Sequence, residues 1–427
     1  GTCTGMEKGV PFVLSVGGGT ALLEAPKPME AMTWVPCSAA AAAIDSYPFG
    51  ETISMYMDDQ EYADFQWHNS NKSKADWTAN IAIGPGLPEP GVGHFRGNSS
   101  LNCQRKSITI NLDGGDPRRL MPGGADDEFM LISMCLDDRY FQQFLANQLL
   151  QTLGLFQPRQ RYVRLMVNGN DLGVYLLLGH PAETIVRQHA LVEAVMRRRN
   201  EAVNNPEPND IKWPSEPEVI ETAHENYAEM VNKVWAADAS VLKDALSEHL
   251  DVDMFLQWLA FHTYVRNGDY VDELYLFASQ ESGAWMWRLS GWDADDLLSN
   301  CHHGGQNALP DPNGIYYCAE GDLEHALIYS DELYSGFIDH LEALINETMP
   351  YETLAAAIFS VREALFTHLE EESVCSAMVE IIQSNSQAST CAGARADIDA
   401  HMQDFLSGVS TRSTSLLSKI QAYKGSQ

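Results

Sequence analysis

Asn267-Gly268-Asp269-Tyr270-Val271-Asp272-Glu273-Leu274-Tyr275-Leu276-Phe277, a short turn, and Trp285-Met286-Trp287-Arg288-Leu289-Ser290-Gly291-Trp292-Asp293-Ala294-Asp295-Asp296 form the stretch on which the reading of this chain turns. Its two apolar runs, 273–277 and 285–289, predict a β-hairpin that turns at 280–283. An antiparallel return brings Asp269 and Glu273 in at the end where Asp293 and Asp295 leave. Four carboxylates then converge. Held together in a partly buried place they repel one another, and either take up protons or bind a hard cation such as Mg²⁺ or Mn²⁺. The competing reading is a solvated polar loop in a chain whose composition makes acidic clusters common.

That composition narrows the partners. The chain has 427 residues with 27 Lys and Arg against 59 Asp and Glu, a formal charge of −32. Such a field repels phosphodiester backbones and anionic lipid, so nucleic acid is not expected as a partner. A hydrophobic content of 45% suffices for a folded core. No run reaches the ~18–20 apolar residues of a membrane span; the nearest, 31–44, is broken by Pro36, Cys37 and Ser38. The opening Gly1-Thr2-Cys3-Thr4-Gly5 carries no basic stretch and no initiator Met, so a processed chain is expected.

Eight cysteines are present without a Cys-x-x-Cys pair, which disfavours a structural zinc site. In chain order they fall as Cys3 and Cys37, Cys103 and Cys135, Cys301 and Cys318, Cys375 and Cys391. Four local disulfides in an oxidising compartment are one reading, reduced and buried cysteines the other. Cys301-His302-His303 is read as loop, because adjacent histidines point apart in a strand and share no helix face.

Outward from the hairpin, the texture shifts along the chain. Residues 1–45 are rich in Gly, Ala and Pro and read as a leader or edge segment. Residues 46–195 show short alternating runs, such as Ile108, Ile110 and Leu112, and form a strand-rich N-terminal region. Within it, 138–153 is expected to be helical, with Phe141, Leu145, Leu149 and Leu153 at four-residue spacing. A hairpin of 162–167 and 173–178 is expected around Asn168-Gly169. Residues 196–217, with Pro206, Pro208, Pro214 and Pro217, read as a polar linker or insertion. Residues 218–427 form a helical C-terminal region, with helices over 219–235, 240–249, 253–266, 331–345, 351–371 and 398–422, and carry the hairpin 267–296. The expected class is α+β, with the site in a cleft between lobes.

A second constellation is His94-Phe95-Arg96-Gly97-Asn98-Ser99-Ser100, followed by Arg105-Lys106 at the mouth of a strand. Lys106 shares the inward face of Ile108 and Ile110. It is suited to neutralising phosphate oxygens beside a Gly/Ser loop, or to covering apolar surface with its stem while the ammonium stays in water. No Walker-type loop and no Gly-x-Ser-x-Gly elbow occurs. A carboxylate-based glycosidase, with Trp285, Trp287 and Trp292 as sugar-stacking rings, is a further alternative.

In their order and spacing these motifs resemble the CotH family of spore-coat and secreted proteins, which has an atypical protein-kinase-like fold. The residues that carry the resemblance are Phe95-Arg96-Gly97-Asn98-Ser99-Ser100 with Arg105-Lys106-Ser107, and the stretch 140–154. Val163-Arg164-Leu165-Met166-Val167-Asn168-Gly169 with Gly173-Val174-Tyr175, then Asn267-Gly268-Asp269, Tyr275-Leu276-Phe277 and Trp292-Asp293-Ala294-Asp295 continue it. Phe405, Arg412 and Leu416-Leu417 close it. The resemblance implies a two-lobed, secreted or envelope kinase that binds ATP with Mg²⁺ or Mn²⁺ and phosphorylates protein hydroxyls; its alternative is a catalytically silent coat or surface protein of the same fold. It implies that Lys106 contacts nucleotide phosphates, with Arg96, Gly97, Ser99 and Ser100 shaping the phosphate-side loop. Asp269 would be the base-like, hydroxyl-orienting carboxylate, and Asp293 and Asp295, joined by Glu273, would hold metal. Two departures stand out: Leu178 is followed by Gly179-His180 where the family usually has a glutamate, and Glu273 stands where it tends to have an amide.

Overall fold

The computed structural model describes residues 2–7, 10–17 and 20–24 as backbone, and residues 52–84, 86–113, 126–189, 191–198, 210–281, 284–301, 310–378 and 390–427. Strands β1 (Thr2–Glu7), β2 (Val10–Gly17) and β3 (Thr20–Glu24) form an antiparallel meander. The segment 1–45, read as a leader or edge segment, thus contains three strands among its described residues. Seven strands follow: β4 (Thr52–Tyr56), β5 (Trp77–Ile83), β6 (Glu89–Arg96), β7 (Ser107–Leu112), β8 (Glu128–Ile132), β9 (Gln160–Val167) and β10 (Asn170–Gly179).

These seven close into a barrel in the order β10-β8-β7-β6-β5-β4-β9, with β9 and β10 completing the ring. Neighbours are antiparallel except β4 and β9, which run parallel. Alternation of two residues turns one face of each strand inward. Ile53, Met55, Trp77, Phe95, Ile108, Ile110, Phe129, Leu165 and Tyr175 accordingly meet in one core cluster. Helix α1 (Asp59–Asn71) adds Phe65 to it, with its ring centroid 5.3 Å from that of Trp77 and 5.1 Å from that of Phe95. The β9–β10 hairpin turns at Asn168 and Gly169, both at positive φ, as the Asn-Gly signal requires.

The remaining elements are α2 (Gln142–Thr152), α3 (Pro181–Gln188), β11 (Val192–Arg197), β12 (Asp210–Trp213), α4 (Pro217–Ala236), α5 (Leu242–Ser247) and α6 (Val252–Val265). After these come β13 (Leu274–Glu281), β14 (Ala284–Gly291), α7 (Asp322–Tyr329), α8 (Asp331–Ala343), α9 (Tyr351–Leu369) and α10 (Cys391–Ser426). A sheet of order β12-β11-β13-β14 sits among these helices. Residues 196–217, expected to be irregular, therefore supply the edge strand β12, because Asp210–Trp213 pairs with β11. The chain is a mixed α and β protein. Its helices and strands are less segregated than the sequence suggests, since α1 interrupts the strand-rich region and a four-stranded sheet lies in the helical one.

The chain divides into two compact units: Gly1–Leu136 with Pro158–Glu183 and Ala364–Ala394, and Asp137–Gln157 with Thr184–Glu363 and Arg395–Gln427. Disulfides join Cys103 to Cys135 and Cys375 to Cys391 in the first, and Cys301 to Cys318 in the second. Three of the four expected pairs are thus present. Cys37 and the His302-His303 loop lie outside the described residues. Among the described residues no helix is long and apolar enough to cross a membrane.

Candidate functional site

Helix α6 buries Phe255, Leu256, Trp258, Leu259, Phe261 and Tyr264, and is apolar around most of its circumference, the signature of a core helix. It ends at Arg266 in the left-handed conformation (φ 52°), which swings the chain into Asn267-Gly268-Asp269. Asn267 is fully buried and braces this turn. Its side-chain oxygen accepts from the Asp269 N–H at 3.2 Å and its amide nitrogen donates to Glu273 Oε2 at 2.5 Å. Gly268 donates to the Asp296 carbonyl at 3.0 Å. A Cβ at Gly268 would lie 2.0 Å from Ser299 Oγ and 2.1 Å from the Asn300 carbonyl oxygen, so only glycine permits this approach.

The hairpin is as the two apolar runs predict. β13 and β14 pair from Leu274 opposite Gly291 to Glu281 opposite Ala284, and Trp292 donates to the Glu273 carbonyl at 2.9 Å. Glu273 and residues 292–296 therefore share one end. Carboxylate oxygens of Asp269, Glu273 and Asp296 all lie within 4.8 Å of one another, with Glu273 buried and the other two half-buried. Asp293, at φ 54°, accepts from Gln143 Nε2 at 2.8 Å, while its carbonyl accepts from the Asp295 N–H at 2.8 Å. Asp137 accepts from the backbone N–H groups of Gln142 and Gln143 at 3.0 and 2.9 Å, fixing the start of α2 beside this cluster.

Crowding shows in the protonation equilibria. Burial, then the charges of Asp295, Asp293 and Asp269, pushes Glu273 well above the usual carboxylate range, and the Asn267 hydrogen bond opposes this only in part. Burial, then Asp293, Asp296, Asp137 and Asp269, does the same to Asp295. Arg197, the last residue of β11, answers the negative field. Burial works against its charge, yet Tyr275, Asp293, Asp272 and Glu273 hold it above its ordinary value. Beneath the site, fully buried Arg198 donates to Glu324 at 2.7 Å and to the Val271 carbonyl at 2.5 Å.

Of the residues expected in the site, Asp269 and Glu273 are brought together with Asp296, and Asp293 and Asp295 enter the same electrostatic cluster. Asp296 stands in the decisive stretch, but spacing gave it no role. Asn267 was legible only as part of a motif. Gln143 and Arg197 lie far away in sequence and carry no local signal. Lys106, Arg96, Gly97, Ser99 and Ser100 belong to the first unit. There Lys106 is mostly enclosed, its Nζ donates to the Cys103 carbonyl at 2.9 Å, and burial followed by the Lys72 charge lowers its pKa. Gly97 has φ 99°, Ser100 Oγ reaches the Arg96 carbonyl at 3.5 Å, and the 3₁₀ turn Ser99–Asn102 leads to Cys103.

Cys301, Cys318 and Glu320 also lie within metal-ligand distance of one another. The two sulfurs are joined as a disulfide, which leaves no thiolate to bind a cation. A cavity of about 440 Å³ in the second unit, lined by Lys243, Asp251, Asp253, Met286, Arg288 and His340 among others, contains none of the acidic cluster.

Comparison with known proteins adds a family. The family model described as "CotH kinase protein" matches residues 94–403. Among curated proteins, the chain is similar to the inner spore coat protein H of Bacillus subtilis (strain 168), at 24% identity over 226 residues, 50% of this chain. The match spans 60% of that protein's length. Because the family model covers well over half of the sequence, including both the Lys106 strand and the acidic hairpin, the chain belongs to the CotH family.

Proposed function

We propose that this chain is an extracytoplasmic phosphotransferase of two-lobed, kinase-like fold, moving the γ-phosphoryl of ATP to a protein hydroxyl with Mg²⁺ or Mn²⁺. The observation that carries the reading is the meeting of Asp269, Glu273 and Asp296 within 4.8 Å, in a chain of a family described as kinase. All-oxygen anionic donors suit a hard divalent cation, and burial with mutual repulsion gives them reason to take one. Asp269, Glu273 and Asp296, with Asp293 and Asp295 beside them, are the residues that would hold it. When bound, such a cation offsets the charge of the phosphates in transfer.

The chain's own side chains have separable tasks in this reading. Asp269 accepts a hydrogen bond from the acceptor hydroxyl and orients it toward the phosphorus. Lys106, its pKa lowered by burial and by the Lys72 charge, is assigned to nucleotide phosphates on the family resemblance, with Arg96, Gly97, Ser99 and Ser100 shaping the loop beside it. Asn267 and Gln143 fix the orientations of Glu273 and Asp293. The three disulfides, together with the name of the Bacillus relative, support a coat or envelope location.

Transfer of label from γ-labelled ATP, comparing the native chain with Asp269→Ala, tests the activity. The expected result is Mg²⁺- or Mn²⁺-dependent labelling that the variant loses. A second reading, a catalytically silent coat protein, is favoured by one observation: Glu273 adds negative charge where the family tends to carry an amide. Under it, the melting temperature rises with neither Mg²⁺ plus ATP in the native chain nor in Asp293→Ala, and no label is transferred.

A further inference from the structure

Three segments of the second unit meet around the peptide link between Asn267 and Gly268: the turn itself, residues 296–301, and residues 315–318. The second and third are closed on each other by the Cys301–Cys318 disulfide, 17 residues apart in sequence. On one side, Asn300 presents its carbonyl to Gly268, and Ser299 donates its N–H to the Arg266 carbonyl at 3.0 Å. On the other, Tyr317 donates its hydroxyl to the Asn267 carbonyl. The Tyr317 ring lies under the Arg412 guanidinium at 5.5 Å, and Arg412 itself is fixed to the Thr263 carbonyl at 2.7 Å. Next to it the Tyr316 hydroxyl meets that of Tyr270, which also donates to the Cys318 carbonyl.

We propose that residues 315–318, clamped by the Cys301–Cys318 bridge, are a positioning strap for the acidic cluster, and that opening the bridge lowers the cluster's affinity for a divalent cation. The inference rests on the cation reading given above. Its physical route is short. Tyr317 holds the Asn267 carbonyl, Asn267 holds Glu273 Oε2 and the Asp269 N–H, and Gly268 holds the Asp296 carbonyl. The Glu273 carboxylate and the Asp269 backbone are thus each two hydrogen bonds from the strap, and the Asp296 backbone is held by Gly268, the residue next to the one Tyr317 grips. Groups that orient ligands in this way set metal affinity without touching the metal. Loop closure by the disulfide confines the strap, and its loss returns conformational entropy to the 17-residue loop.

The opening step is an ordinary thiol exchange. A dithiol reductant gives two electrons and two protons: the S–S bond breaks, each sulfur gains a hydrogen, and the reductant closes to its own disulfide. Because a reductant also opens Cys103–Cys135 and Cys375–Cys391, the specific test uses the Cys301→Ser/Cys318→Ser double variant of the full chain, with Tyr317→Phe as the second variant that keeps the bridge and the ring.

Two measurements are made on each: the dissociation constant for Mn²⁺ alone, and hydrogen exchange at the Gly268 and Asp269 amides. The expected result is Mn²⁺ affinity weakened by about 10- to 100-fold in both variants, with loss of amide protection confined to the site. Tyr317→Phe is expected to add little in the double-variant background, since both act through one strap. Unchanged Mn²⁺ affinity and unchanged protection in both variants would overturn the strap. Absence of Mn²⁺ binding by the oxidised native chain overturns the cation reading and the affinity half of this inference. The amides then decide the positioning role alone, lost protection upholding it and retained protection refuting it.

Discussion

Replacing Glu273 by Gln removes one charge from the cluster and leaves its shape, since the amide oxygen still accepts from Asn267 Nδ2. The magnitude follows from the spacing. At 4.8 Å and an effective dielectric constant of ~20, one carboxylate pair repels by ~3.5 kcal/mol, and the two neighbours Asp269 and Asp296 together by ~7 kcal/mol when all three are fully charged and unscreened. Two effects lower the realised figure. Asp269 and Asp296 are half-buried and screened by solvent, and Glu273 relieves part of the repulsion by taking a proton. A gain of about 1–3 kcal/mol in the cation-free protein is therefore expected, in line with the neutralisation of other buried charges. That corresponds to roughly 2–4 °C in Tm per kcal/mol for a cooperative unit of some 150–250 residues. With Mn²⁺ present a ligand has been lost, which works against this gain: affinity falls at least about 10-fold, about 1.4 kcal/mol at saturation, and the Mn²⁺-dependent rise in Tm shrinks. Thermal melts of both proteins in chelator and in a Mn²⁺ series read both arms. A Glu273→Gln protein that melts lower in chelator, or that binds Mn²⁺ as the native chain does, refutes the account of the cluster.

The remaining expectations touch other parts of the same machinery. In chelator, stability measured as the urea midpoint should fall as pH rises from the ordinary carboxylate range, near 4, through the elevated native values of Glu273 and Asp295, because the folded state then holds protons the unfolded state has released. Saturating Mn²⁺ should flatten that slope. Gly268→Ala should destabilise by about 1–3 kcal/mol and weaken Mn²⁺ binding, as its Cβ meets the Asn300 carbonyl, a backbone atom that cannot swing aside. Glu324→Ala should lower chemical stability by about 3–5 kcal/mol, since it leaves the Arg198 guanidinium buried without its carboxylate. Arg197→Met should tighten Mn²⁺ binding in titration, by removing a cation whose field falls on Asp293, Asp272 and Glu273.

What the sequence discloses here is what local chemistry determines. Apolar alternation around Ile108 and Ile110 specifies strands, and Asn168-Gly169 specifies the β9–β10 turn, because each follows from a few adjacent residues. The acidic hairpin is legible for the same reason: its register places Leu274 opposite Gly291, so the flanking carboxylates must share an end. Closure of seven strands into a barrel is not legible, since it depends on the parallel pairing of β4 with β9, more than a hundred residues apart. Helix α1 also has a local signal. Asp58 accepts from the N–H groups of Gln60 and Glu61 while Glu61 accepts from the Asp58 N–H, a capping box whose Asp-x-x-Glu pattern stands in the sequence. By contrast, Gln143 reaches Asp293 across 150 residues, and β11 delivers Arg197 to the cluster through a sheet; neither has a local pattern to betray it.

Charge balance explains why these late-found residues matter. Asp269, Glu273, Asp293, Asp295 and Asp296 would place five negative charges in one small region if all were ionised, within a chain whose own formal charge is −32. The two whose pKa values are pushed well up, Glu273 and Asp295, are the ones positioned to hold protons there. Protons and cation therefore compete for the same electrostatic role. On the cation reading, binding of Mg²⁺ or Mn²⁺ would draw protons off Glu273 and Asp295, so affinity is expected to strengthen as pH rises, over the same range in which the cation-free fold is expected to weaken. The acidic cluster is thereby tuned against its own fold, and the Asn267 brace and the disulfide-bound strap hold together an arrangement that repulsion alone would open.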